Sequence, residues 1–311
     1  MEAQNTPEST RRWLAATEPL RSAVIDLIEG YPDEMTLPDA ASDAMTDLVQ
    51  EEKWLSPDPN LTGWTKEPIR VAHSLAALQY RLAMDCAAAV EHLIKSTDPP
   101  SIYAPTALVR PVLEGAARSH WLSETGIGTG ERLRRAVNDR IDNLYRQTQG
   151  PTQDAQRRAR ERLGQIRRAA VLLGYEVAPS RKSRMRFLEP TRPSTTAVIR
   201  TLFGQFDSDP GLPKALMIWA SSATHAGALA LTAYAEHIPS GPLQPYDRAQ
   251  LRLTDRDANT LLASVVMALV LAGRTRLSFN GWAHQIWLDR AKAGFETVRK
   301  TMANYGSLAD D

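Results

Sequence analysis

The sequence predicts an all-α protein, a multi-helix bundle with long central helices and a helical N-terminal arm. Three observations carry this. Almost every ordered stretch repeats its apolar residues at helical rather than alternating spacing. Two segments, 106–123 and 215–235, hold few charges or none over a helical length, as buried bundle members do. Pro, Gly and Asn punctuate the chain at helix-length intervals, which marks where helices end.

The elements follow in order. Thr17-Glu18-Pro19 starts a helix to about Glu29 that turns Leu20, Val24, Leu27 and Ile28 inward, and Gly30 and Pro32 end it. Pro38 opens a second helix, to about Trp54, and 56–65 is a loop. A long helix over about 67–96 is rich in alanine and places Leu75, Leu78, Leu82, Val90, Leu93 and Ile94 on its apolar side. Its small residues permit close helix approach. The next helix, 106–124, contains Pro111, which removes a backbone donor and predicts a kink. Two arginine-rich helices, about 130–148 and 152–173, are joined by Gly150-Pro151. Residues 175–193 read as a basic loop. Ser194 caps a short helix to about Phe203. A helix over about 213–237 is followed by a loop and a short extended piece at 250–253. Asp255 or Asp257 begins a very apolar helix to about Leu277, with Asn280-Gly281 breaking it, and a last amphipathic helix runs from about Trp282 to Asn304. This gives an arm over 1–55, a bundle domain over 67–304 and a tail over 305–311.

Net charge is +1 but unevenly spread. Residues 1–100 hold 8 basic and 17 acidic side chains, residues 101–206 hold 19 and 9, and the rest balance at 10 and 10. Such asymmetry marks either a polyanion surface or an acidic part packed on a basic part, within one chain or between two copies. A homodimer is therefore expected, as an alternative to a docked arm. The polyanion candidate is the basic 132–186 region, with RNA or a nucleotide as partner. Aromatics are sparse there, which favours backbone phosphates over stacked bases.

The single cysteine, Cys86, excludes a disulfide framework within one chain. The N-terminus lacks the basic and apolar regions of a signal peptide. The 215–235 segment has membrane-spanning length, but its serines, threonines, His225 and Tyr234 fit a core helix better. Arg outnumbers Lys 30 to 7, as in GC-rich bacterial genomes. A cytoplasmic bacterial protein without a membrane partner is expected. No Glu-x-x-His, His-Glu-x-x-His, Gly-x-Gly-x-x-Gly or Walker pattern occurs, so no metal and no cofactor is expected.

Two polar patches stand out on apolar helices. Arg110, Glu114 and Arg118 recur at i, i+4 and i+8 and form one row. The row is either a charge ladder that fixes helix register or a pair of arginines oriented by a carboxylate to bind an anion. Ser221 and Ser222 share a face with His225, which is either a satisfied core histidine or a general acid or base. Glu114 and His225 are the catalytic candidates; Arg110, Arg118, Ser221 and Ser222 are the ligand-binding ones. The two patches are expected to meet inside the bundle, because isolated burial of either is costly.

Residues 110–118 (RPVLEGAAR), followed by 219–225 (WASSATH), resemble a group of bacterial helical proteins of unknown function that carry an Arg-x-x-x-Glu helix and a later Ser-x-x-x-His helix. That group is similar to the HEPN-like superfamily, whose members include RNA-cutting toxins and phage-defence proteins. The resemblance covers roughly 70–237 and implies a HEPN-like fold that binds an anionic ligand, RNA or a nucleotide, in a defence or toxin setting. HEPN nucleases also place an arginine a few residues ahead of a histidine. Here 218–220 are Ile-Trp-Ala, so RNA cleavage does not follow. Two other classes stay open: a small-molecule enzyme with its pocket between the 106–124 and 213–237 helices, and a structural interaction module.

Overall fold

The computed structural model describes residues 7–32, 43–49, 68–96, 103–172, 174–179, 186–190, 193–204, 235–238, 248–251 and 254–306. Among them are nine helices and two small antiparallel hairpins, so the fold is an all-α bundle. The helices are α1 (Pro7–Gly30), α2 (Asp43–Val49), α3 (Pro68–Ser96), α4 (Tyr103–Leu122), α5 (Thr129–Gln147), α6 (Gln153–Leu172), α7 (Thr195–Phe203), α8 (Asp255–Asn280) and α9 (Gln285–Gly306). Strands β1 (Val177–Pro179) and β2 (Arg186–Leu188) pair with each other, as do β3 (Ala235–Ile238) and β4 (Arg248–Leu251).

α8 is the central post. Thr254 and Asp257 form a reciprocal capping box at its start, and Gly281 ends it in the left-handed region at φ 69°, where an L side chain is strained. It is long and apolar enough to cross a membrane, and 78% of its most apolar stretch is buried by its neighbours. Around it, Leu20, Val24 and Leu27 of α1, the alanines of α3, Val112 and Leu113 of α4, Leu202 of α7 and Trp287 of α9 form one continuous core. α5 and α6 pack as a pair over a second core of Leu133, Ile141, Leu163 and Ile166, which Ile69 and Leu188 join.

Several expectations are corrected. α1 begins at Pro7, ten residues before the expected start at Thr17, and runs through Pro19. The carbonyl that Pro19 leaves without a donor belongs to Ala15, and both residues are exposed, so the helix runs through on its solvent side. The buried face of α3 holds the expected Val90 and Ile94, but elsewhere it is small, Ala72, Ala76, Ala83 and Ala87 together with Tyr80, while Leu78 and Leu82 are exposed. The reason is the closeness of α4. A Cβ on Gly115 would lie 2.7 Å from the Gln79 carbonyl oxygen, and only small residues tolerate that approach. Residues 175–193 contain the β1–β2 hairpin instead of being loop throughout. Asn138 of α5 holds it, accepting from the Leu188 N–H at 2.8 Å and donating to its carbonyl at 2.9 Å. The expected 213–237 helix lies outside the described residues over 213–234, and 235–237 belong to β3. The extended piece near 250 is β4, which supplies β3 with its partner. Around the second expected helix, only Asp43–Val49 is described.

Candidate functional site

The α4 row is only half a ladder. Arg110 Nε donates to Glu114 Oε1 at 2.8 Å, with both side chains about a quarter exposed. Arg118 does not pair with Glu114. Its Nη1 lies 3.9 Å from Asp139 Oδ1 on α5, and its buried Nε has no hydrogen-bond partner among the described residues. The two ion pairs expected along one helix are thus one pair on the helix and one bridge to its neighbour. Asp139 is almost fully buried, and Glu114, about a quarter exposed, is already taken by Arg110, so Arg118 turns to the carboxylate in the helix interface. Ser221, Ser222 and His225 lie outside the described residues, and so does their expected meeting with Arg110 and Glu114.

The basic segment divides into two parts of different character. On α5 the arginines turn inward and are neutralised. Arg134 pairs with Glu131 at 2.5 Å and also donates to the Pro190 carbonyl. Arg135 reaches Glu131 at 2.8 Å and Glu124 at 2.6 Å, and its guanidinium lies over the Trp121 ring at 5.2 Å. Burial alone would raise the Glu131 carboxyl, but hydrogen bonds and charge from Arg134 and Arg135 outweigh it and hold the group below the usual range.

Arg132 is the deepest of them, at 1% exposure. It crosses to the acidic N-terminal segment, donating from Nε to Asp47 Oδ2 at 2.5 Å. Asp47 also accepts from Thr129 Oγ1 at 2.7 Å, and His73 Nε2 lies 3.2 Å from it. The guanidinium stacks 4.1 Å from the centre of the Phe279 ring and also donates to the Leu122 and Glu124 carbonyls. Burial pushes the Asp47 carboxyl up, yet these partners together hold it below its ordinary value. A second bridge of the same kind joins Arg21 of α1 to Glu91 of α3 at 3.2 Å.

α6 is different. It carries six arginines against Asp154 and Glu161. Arg157 and Arg158 share Asp154 at 2.6 and 2.8 Å and stay about 70% exposed. Arg160 donates to the Gln156 side-chain oxygen at 3.2 Å. Gln153, Gln156, Arg157 and Arg160 line an open groove with Asp154 at the start of the helix. Arg140 of α5 is half-buried, its Nε has no hydrogen-bond partner among the described residues, and the charge it feels most is another cation, Arg162. Burial first, and Arg162 second, lower the Arg140 guanidinium from its ordinary value. No ion pair among the described residues joins Arg140 or Arg162 to a carboxylate. Sequence reasoning treated 132–186 as one basic surface. The signal that divides it was available in part, since Glu131 stands three and four residues before Arg134 and Arg135. The Asp47–Arg132 pairing, 85 residues apart, left no local sign.

Among the described residues no group of three or more His, Cys, Asp or Glu side chains is placed to hold a metal ion. No protein-family model, curated protein or solved structure matches the chain.

Proposed function

We propose that this is a HEPN-like helical protein that binds an anionic ligand, RNA or a nucleotide, on the α6 side of the α5–α6 pair. The observation that carries the reading is the half-buried Arg140, whose Nε has no hydrogen-bond partner among the described residues. The Arg162 charge acts on it, and no ion pair among the described residues joins either arginine to a carboxylate. A phosphate between them would supply the missing acceptors and turn a repulsion into two charge-assisted contacts. Exposed Arg157, Arg158 and Arg160 extend the positive field along the same helix. Without aromatics beside them, they suit a sugar–phosphate backbone and not base stacking, so binding should be sequence-tolerant and salt-dependent.

Fluorescence anisotropy of a labelled single-stranded RNA at low salt tests this. Binding that weakens about tenfold in Arg162→Ala, the loss of roughly one charge-assisted contact, supports the reading. Failure to bind the labelled RNA, together with no binding of fluorescently labelled ATP or AMP, overturns it.

A further inference from the structure

α3 carries two faces of different kinds. The inner one is the row of alanines with Tyr80, Val90 and Ile94 that closes on α4 and α8. The outer one holds Leu78, Arg81, Leu82 and Asp85, spaced at i, i+3, i+4 and i+7, so the four share one strip of the helix. All four are exposed, Leu78 at 63% and Leu82 at 47%. A single exposed leucine needs no explanation. Two leucines one turn apart, in the middle of a 29-residue helix, form a patch that a partner would bury.

The charges on the strip say which partner. Arg81 and Asp85 stand at the spacing of a helical ion pair. Yet no ion pair among the described residues joins them to each other or to a third group. A strip with one cation and one anion is complementary to its own reverse. Let a second α3 lie antiparallel across the first, with a twofold axis level with Ala83. Arg81 of each copy then comes level with the partner's Asp85. The same axis sets Leu78 of each copy over the partner's Ala88 and Ala89, which are half-buried. Large residues at one end of the strip thus meet small ones at the other, and the helices can approach closely. A parallel pairing would set Arg81 against Arg81 and Asp85 against Asp85, so charge also fixes the direction.

We propose that α3 is a homodimer surface, on which two copies of this chain pack antiparallel through Leu78 and Leu82 with reciprocal Arg81–Asp85 ion pairs across the twofold axis. One helix pair covers less than the ~1,600 Å² of a standard interface, so the dimer is weak and concentration-dependent. The exposed ion pairs set direction and register more than strength. The inference does not rest on RNA binding.

Sedimentation velocity of the full-length protein, from micromolar to near-millimolar concentration, tests it. The wild type should pass from monomer to dimer over that range. Arg81→Glu and Asp85→Arg should each weaken the dimer about tenfold, because every dimer then sets two like-charge pairs face to face. The double variant, Arg81→Glu with Asp85→Arg, should return the dissociation constant to within about threefold of the wild type. Leu78→Asp should leave a monomer. Circular dichroism should stay unchanged in all four, because each side chain is exposed in the single chain. If Leu78→Asp fails to fold, the three charge variants decide alone. A wild type that stays monomeric throughout overturns the proposal, including one whose stability falls with Leu78→Asp because another segment of the same chain covers the strip. So does a dimer that survives Leu78→Asp, or a double charge reversal that fails to restore what the single ones remove.

Discussion

Arg132 of α5 and Asp47 of α2 form a hydrogen-bonded ion pair at 2.5 Å, and neither side chain is more than 3% exposed. The pair takes the most deeply buried arginine of the basic segment and satisfies it with the acidic segment of the same chain. Part of the charge asymmetry is therefore absorbed inside one molecule. Breaking such a pair from one side leaves a buried charge alone. Asp47→Ala should cost about 3–5 kcal/mol in chemical denaturation. Asp47→Leu combined with Arg132→Met should recover most of that loss. Additive losses in the double variant would show that the pair does not act as a unit.

Two helical glycines, Gly273 on α8 and Gly164 on α6, should respond in opposite directions. A methyl group on Gly273 overlaps the Trp287 ring and the Tyr80 hydroxyl, so Gly273→Ala should destabilise by about 1–3 kcal/mol. A Cβ on Gly164 of α6 meets only the Arg168 guanidinium, at 3.6 Å. Gly164→Ala should stabilise by about 0.5–1 kcal/mol through helix propensity. Thermal melts of both variants check the contrast.

His120 should give the bundle a pH dependence in the mildly acidic range. It is buried, with Nδ1 2.7 Å from Thr275 Oγ1. Burial lowers its pKa from 6.5; the Glu124 charge opposes this and Arg135 adds to it. The unfolded chain therefore takes up the proton first. Stability is complete above about pH 6.5 and is lost as pH falls from there toward the folded value. The depressed Asp47 and Glu131 carboxyls lose their contributions only at lower pH, below about 4. His120→Gln should flatten the upper part of the profile and leave the lower part unchanged, as measured by denaturation midpoints from about pH 7.5 down to about pH 3.

The Arg110–Glu114 pair is about a quarter exposed, and its loss in Glu114→Gln should cost about 1 kcal/mol or less. Comparison with His225→Ala then separates the two meanings of these residues. A fall in RNA binding or turnover much larger than the stability change, in both variants, assigns them to a site. Stability losses alone leave the α4 row as a structural pair.

The fold was legible wherever the deciding forces are local. Thr254 and Asp257 announce the start of α8 and Asn280-Gly281 its end, because capping and the left-handed turn use adjacent residues. Ser194 likewise marks α7, accepting from the Ala197 N–H. Counting leucines misplaced the buried face of α3, because its packing against α4 is set by Gly115 on the other helix. The β1–β2 hairpin leaves no local sign in the sequence, because its short strands are pinned by Asn138, some fifty residues away. The same distance effect hid the site. Arg132 and Arg162 look alike in sequence, and only the fold sends one to Asp47 and leaves the other without an ion pair to a carboxylate among the described residues.

That division is the central claim, and the salt dependence of RNA binding tests it most directly. The slope of log binding constant against log salt should be measured for the wild type, for an α6 variant with Arg157, Arg158, Arg160 and Arg162 changed to Ala, and for Arg135→Ala on α5. The α6 variant should lose about 0.7 of slope for each phosphate contact removed. Arg135→Ala should lower stability and leave the slope unchanged. An unchanged slope in the α6 variant, or a slope that falls instead with Arg135→Ala, would contradict the account.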